Sequence, residues 1–201
     1  LITVVPVNPG SLPANWRALS PTGLIPVMSD GDVTLADSTA ICMYLDKLHP
    51  APPLYSADAR ELAQALWFEQ YAGGTLFRHI VHPLFQEVFV QPNVNHVPAD
   101  PAKIDAVLSG VLPQAFGYLE SVAGPGFLAG PRWSIGDIAV VSNLVTLQYV
   151  GFELDARRYP KLAALFERVI MEPPMRSAIQ AEQSSVQAMG LKSDGVRGAL
   201  G

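Results

Sequence analysis

Asp37 and Ser38 stand side by side just ahead of an apolar repeat, Ile41, Tyr44, Leu45 and Leu48, whose spacing is helical. The pair therefore belongs at a helix N-terminus, where unpaired N–H groups and the helix dipole favour an anion. A serine hydroxyl with a backbone N–H can hold a carboxylate there, and a nearby acid can take an ammonium. An amino-acid head group, with both charges on one carbon, suits such a site. Asp and Ser are also ordinary N-cap residues, so a plain structural cap is the second reading. Upstream, Ile25-Pro26 offers backbone chemistry. A proline that opens a strand gives up a ladder donor. In cis, this bond would turn the Ile25 N–H and C=O outward, where an extended peptide could pair with them as an added strand. In trans, Pro26 is an ordinary strand start.

The other reactive side chains carry less. His79 and His82 fall three apart, with no Asp, Glu or Cys at a spacing that completes a metal site, so no metal is expected. Cys42 lies inside the Asp37–Leu48 helical pattern and reads as a packed thiol. Tyr44, Tyr55, Tyr71, Tyr118, Tyr149 and Tyr159 lack an activating neighbourhood and read as core or interface. Ser134-Ile135-Gly136-Asp137 is a capping box, with Trp133 and Ile138 spaced for a hydrophobic staple, and its role is structural.

Composition narrows the partners. The net charge of −5 comes with no basic cluster, which argues against nucleic acid. The longest apolar stretch, Ile138 to Phe152, is broken by Ser142, Asn143, Thr146 and Gln148, so no membrane span is expected. One cysteine allows no intrachain disulfide and fits a reducing, cytoplasmic setting. With 201 residues, 49% of them hydrophobic, the chain can build one large domain or two small ones.

The pattern of elements favours two: α/β, then all-α. Leu1–Val7 is a short β-branched strand, and Asn8, Pro9, Gly10, Ser11 and Pro13 form a loop. One or two helical turns fit Asn15–Leu19. Leu24–Met28 and Val33–Leu35 read as strands joined by a hairpin at Asp30-Gly31, and Asp37–Leu48 is a helix. His49 to Pro53 stops that helix and starts a linker. Beyond Asp58 the period is helical. Leu76, Ile80, Leu84 and Val88 recur every four, as do Phe77, Val81, Phe85 and Phe89, with a kink expected at Pro83. Gln91–Pro101 reads as a polar loop, and the next helix runs from Ile104 to Val122, perturbed at Pro113. Ser134–Val150 is apolar nearly all round, hence a central buried helix. Leu162–Ile170 is another, broken by Pro173-Pro174 ahead of a short helix over Met175–Gln183. The domain boundaries are thus 1–50, a linker 51–57, an all-α domain 58–183 and a loose tail 184–201.

Ser20-Pro21-Thr22-Gly23-Leu24-Ile25-Pro26-Val27, then Leu35-Ala36-Asp37-Ser38-Thr39-Ala40-Ile41, a Pro-rich linker, and Ser134-Ile135-Gly136-Asp137-Ile138-Ala139 resemble, in order and spacing, a bacterial-type glutathione S-transferase. The resemblance implies a thioredoxin-like N-terminal domain followed by an all-helical C-terminal domain. It implies that Pro26 is cis, that the Ile25 backbone pairs with the cysteinyl part of glutathione, and that Asp37 and Ser38 hold its γ-glutamyl head. It further implies glutathione as co-substrate, a small hydrophobic electrophile as its partner in a detoxifying transfer, and a homodimer. A co-substrate pocket would lie between the domains, with Phe77, Leu84, Phe85 and Phe89 as its helical wall. Leu24 departs from the Lys or Gln common before the X-Pro pair, and Asp37 from the more usual Glu. The family's first strand and helix are expected ahead of Leu1, in about 25–30 residues. The Tyr, Ser or Cys that meets the glutathione sulfur belongs to that segment, so no residue here is named as catalytic. Leu24 and that segment keep a second expectation open, a non-catalytic scaffold or carrier of hydrophobic ligands.

Overall fold

The computed structural model of the chain describes residues 3, 5 and 12–191. All of the strand expected at Leu1–Val7 but Thr3 and Val5, most of the loop after it and the end of the expected tail lie outside the described residues. Contacts divide the chain into two units, Leu1–Pro53 and Leu54–Gly201.

In the first unit, a short helix α1 (Trp16–Leu19) leads to strands β1 (Met28–Asp30) and β2 (Val33–Leu35) and then helix α2 (Ser38–Leu48). The strands pair antiparallel, Met28 opposite Leu35 and Asp30 opposite Val33. Two expectations shift here. The strand begins at Met28, not Leu24, and Pro26, which has no N–H to give, lies ahead of the paired stretch. The two-residue turn is Gly31-Asp32, one step later than Asp30-Gly31, with Gly31 at φ +57. A tight hairpin with Gly at the first central position needs a positive φ there, which glycine adopts without a Cβ clash. Tyr44 on α2 donates its hydroxyl to Asp30 Oδ2 at 2.9 Å, tying helix to hairpin.

The second unit is helical: α3 over residues 59–93, α4 over 101–122, α5 (Ile135–Tyr149), α6 (Pro160–Ile170) and α7 (Pro173–Ala188). Asp58 caps α3 through the N–H groups of Arg60 and Glu61, and Asp100 caps α4 through that of Ala102. The loop expected at Gln91–Pro101 is shorter, because α3 continues through Asn93. Pro173-Pro174 open α7 rather than only ending α6, since the first helical positions need no N–H partner. That helix extends through Ala188, into the segment read as a loose tail.

Three prolines sit inside these helices, and each follows a widened turn. Residues 72–81, 86–90 and 107–111 are wound as π-helix, whose turns close on the carbonyl five residues back. The residue before each proline closes the last such turn: His82 N–H to Phe77 O, Gln91 N–H to Gln86 O, and Leu112 N–H to Val107 O. A proline cannot donate, and its ring collides with the carbonyl four residues back in a regular helix. The wider turn ahead of Pro83, Pro92 and Pro113 accommodates the ring without ending the helix.

Helix α5 is the centre of the core, with Val140, Val141, Leu144 and Leu147 buried. It crosses α3 closely at Gly136, where a Cβ would stand 2.9 Å from the Ala65 carbonyl oxygen. The α5 N-terminus is organised by fully buried Asp137, which accepts from the Ser134 N–H at 2.9 Å, the Ser134 hydroxyl at 2.8 Å and the Leu128 N–H at 2.8 Å. Burial raises the Asp137 carboxyl above its ordinary value, and these hydrogen bonds pull the other way.

Candidate functional site

The hairpin brings the two sequence-marked segments to one end. Its register stops at Met28 opposite Leu35, so the stretch entering β1 and the stretch leaving β2 emerge together there. The first carries Ile25-Pro26 and the second Asp37-Ser38.

The Ile25–Pro26 peptide is cis. Leu24 and Ile25 are exposed, at 67% and 49%. The turn before them is held by side chains. The buried Ser20 hydroxyl donates to the Leu24 carbonyl oxygen at 2.8 Å. Because that uses its one proton, Thr22 is the donor in the 3.2 Å contact between the two hydroxyls. The Leu24 N–H in turn donates to Thr22 Oγ1 at 3.3 Å. The indole N–H of Trp16 reaches the Gly23 carbonyl oxygen at 3.2 Å. Gly23 itself sits at φ +78, with the Arg17 guanidinium where a Cβ would go. The order Ser20 to Gly23 does not by itself reveal this scaffold. Two hydroxyls flanking Pro21 ahead of a glycine were the available signal.

Asp37 is the N-cap of α2, its Oδ1 accepting the Ala40 N–H at 2.9 Å. The structural reading of this residue therefore holds. Its other carboxylate oxygen has no partner among the described residues, and Ser38, the first helical residue, is exposed. A cap carboxylate, an exposed hydroxyl and a helix N-terminus thus share one short stretch. They offer an acceptor for an ammonium and donors for a carboxylate.

The candidate wall residues divide. Leu84 has no exposed surface and belongs to the core of the second unit. Phe77 is 51% exposed, while Phe85 and Phe89 are half-buried with ring centroids 5.1 Å apart. Among the described residues no group of three or more His, Cys, Asp or Glu is placed to hold a metal ion, and no helix is long and apolar enough to cross a membrane.

Comparison with known proteins gives the frame. Residues 2–53 match the glutathione S-transferase N-terminal domain and residues 86–181 the glutathione S-transferase C-terminal domain. Glutathione S-transferase Z2 of Arabidopsis thaliana is 23% identical over 175 residues, which are 85% of this chain and 74% of that protein. Human glutathione S-transferase theta-1 is 29% identical over 157 residues, 77% of this chain and 64% of its own length. A solved glutathione S-transferase I bound with lactoylglutathione superimposes with a TM-score of 0.74 at 22% identity, covering 93% of this chain and 86% of that one. The fold is a thioredoxin-like N-terminal domain plus a helical C-terminal domain.

Proposed function

The chain belongs to the glutathione S-transferase family, and from that premise we propose that it binds glutathione at the open end of the β1–β2 hairpin and transfers it to a small hydrophobic electrophile. The observation that carries this reading is the convergence of cis Ile25-Pro26 with the Asp37-capped N-terminus of α2. The exposed Ile25 backbone pairs with the cysteinyl part of the tripeptide as an added strand would. Asp37 takes the γ-glutamyl ammonium, and Ser38 with the helix N-terminus takes its carboxylate. Held this way, the tripeptide presents its sulfur to the second substrate; the attacking form is the thiolate, and its attack expels the leaving group of an electrophilic carbon or one sulfur of a disulfide. Within the second unit, Phe77, Phe85 and Phe89 offer apolar surface to a small hydrophobic molecule, with Leu84 behind them in the core. A cytoplasmic setting and a homodimer belong to the same reading. The exposed Trp67 on α3, at 53%, is apolar surface that a second copy would cover.

Calorimetric titration with glutathione tests the binding, followed by a conjugation assay of the full-length protein with several small electrophiles. Saturable binding with turnover supports the transferase; no binding overturns it. Leu24 favours one alternative, a scaffold or ligand carrier. It puts an exposed apolar side chain beside the site where a polar contact to glutathione would serve. Binding without turnover of any electrophile would support that alternative.

A further inference from the structure

We infer that Ser20 is the positioning residue for the Ile25 amide, aiming its N–H at the ligand; the inference rests on the glutathione-binding reading above. In a trans peptide the C=O and N–H lie in one plane and point opposite ways. The Leu24–Ile25 bond is not among the cis bonds of the chain. Its carbonyl is drawn inward by a hydroxyl that has no exposed surface, with Ser20 Oγ 2.8 Å from Leu24 O. The Ile25 N–H, at the other end of the same plane, must therefore face away from Ser20. No group among the described residues takes it up.

The preceding peptide is fixed as well. The Gly23 carbonyl accepts from Trp16 at 3.2 Å, and the Leu24 N–H is held by Thr22 at 3.3 Å. Ser20, Thr22 and Leu24 close a ring of hydrogen bonds: Leu24 N–H to Thr22, Thr22 to Ser20, Ser20 back to the Leu24 carbonyl. Without the Ser20 hydroxyl the ring opens at the one bond that sets the Leu24–Ile25 plane. That plane can then swing, and the donor loses its aim before any ligand arrives, an ordering cost that reappears as weaker binding.

The test compares the wild-type chain with Ser20→Ala and Ser20→Cys, the latter close to serine in shape and only a weak donor. Glutathione affinity is measured by calorimetry. The Ile25 amide is followed by two-dimensional NMR during the same titration, and thermal unfolding reports the fold. In the wild type the Ile25 amide resonance should move with saturation. In whichever variants fold, affinity should fall about fivefold to tenfold, as loss of one net hydrogen bond implies, and the Ile25 response should shrink. Folded variants that bind glutathione like the wild type, with the same Ile25 shift, overturn the role of Ser20 and leave the binding site standing. Lower stability with unchanged affinity does the same, since it marks a merely structural serine. A wild-type chain that ignores glutathione overturns the binding reading itself, and this inference with it.

Discussion

The Glu120 carboxylate accepts the backbone N–H of Leu162 at 2.9 Å and that of Lys161 at 3.1 Å. A side chain from the last turn of α4 thus caps the first turn of α6, where Tyr159 in the N-cap position makes no side-chain bond. Glu120→Ala should lower stability by about 1 kcal/mol, the usual worth of an N-cap, with a smaller loss for Glu120→Gln. Urea unfolding midpoints check this; equal midpoints for wild type and Glu120→Ala would show the cap to be idle.

Gly136→Ala is expected to cost about 2 kcal/mol, as overpacking of a filled contact does. The added methyl would stand 2.9 Å from the Ala65 carbonyl oxygen and 3.0 Å from Phe68 Cβ, so helix backbone must move to admit it. The same denaturation experiment reads the effect. A neutral outcome would mean that α3 and α5 slide apart freely.

Tyr159→Phe should have the opposite sign. The Tyr159 hydroxyl is buried and has no hydrogen-bond partner among the described residues. The ring packs edge-on against Phe116, centroids 5.5 Å apart, and Arg158 lies over it at 5.2 Å. Phenylalanine keeps both contacts and removes the orphaned oxygen, so stability should hold or rise by about 1 kcal/mol. A clear loss of thermal stability would reveal a partner for the hydroxyl.

Asp37 and Ser38 should separate cap from ligand. Asp37→Ala removes the bond to the Ala40 N–H and should cost about 1 kcal/mol of stability as well as glutathione affinity. Ser38→Ala leaves that cap intact, so it should weaken glutathione binding with little change in unfolding midpoint. Calorimetry beside thermal unfolding distinguishes the two, and a Ser38→Ala variant with unchanged affinity would remove Ser38 from the site.

Alkaline titration offers a further check. The Tyr149 hydroxyl donates to Glu182 at 2.7 Å, and burial, then this bond and the Glu182 charge, raise its pKa well above the ordinary 10.0. Tyr71 is raised by burial and then by Tyr118. A raised phenol stays protonated in the folded chain where the unfolded chain has lost the proton. The stability it contributes is therefore complete below pH 10.0 and is lost as pH rises through the folded value. Phenolate absorbance should show Tyr149 and Tyr71 ionising late, and Tyr149→Phe should flatten the fall in stability above pH 10.0. A Tyr149 that ionises at the ordinary value would contradict this.

Local signals were legible in the sequence, and bonds between distant residues were not. Asp37 and Asp137 cap as their positions imply, because a cap is decided within four residues. Asp30-Gly31 marked the hairpin correctly but not its phase, since the glycine serves the turn as its first residue rather than its second. Pro26 read as a strand residue, although a proline tells where a ladder cannot begin better than where it does. Glu120 capping α6 had no signal at all, because the N–H groups that donate to it lie across a loop whose path only packing determines. The Ser20 ring is local, yet which hydroxyl meets which carbonyl depends on Gly23 at positive φ, which spacing alone does not fix.

The widened turns of α3 bear on its angular phase. In a regular α-helix a four-residue step overshoots a full turn by about 40°. The ladder Leu76, Ile80, Leu84, Val88 would therefore spiral about 120° around a regular helix over its three steps. Yet Leu76, Ile80 and Leu84 are at most 1% exposed, and Val88 still packs on the same core. Turns that hold more than 3.6 residues undershoot on the same step, and two such stretches, 72–81 and 86–90, take back what the α segments add. The ladder can then descend α3 as a straight seam, and Pro83 and Pro92, which favour the widening, act as its phase correctors.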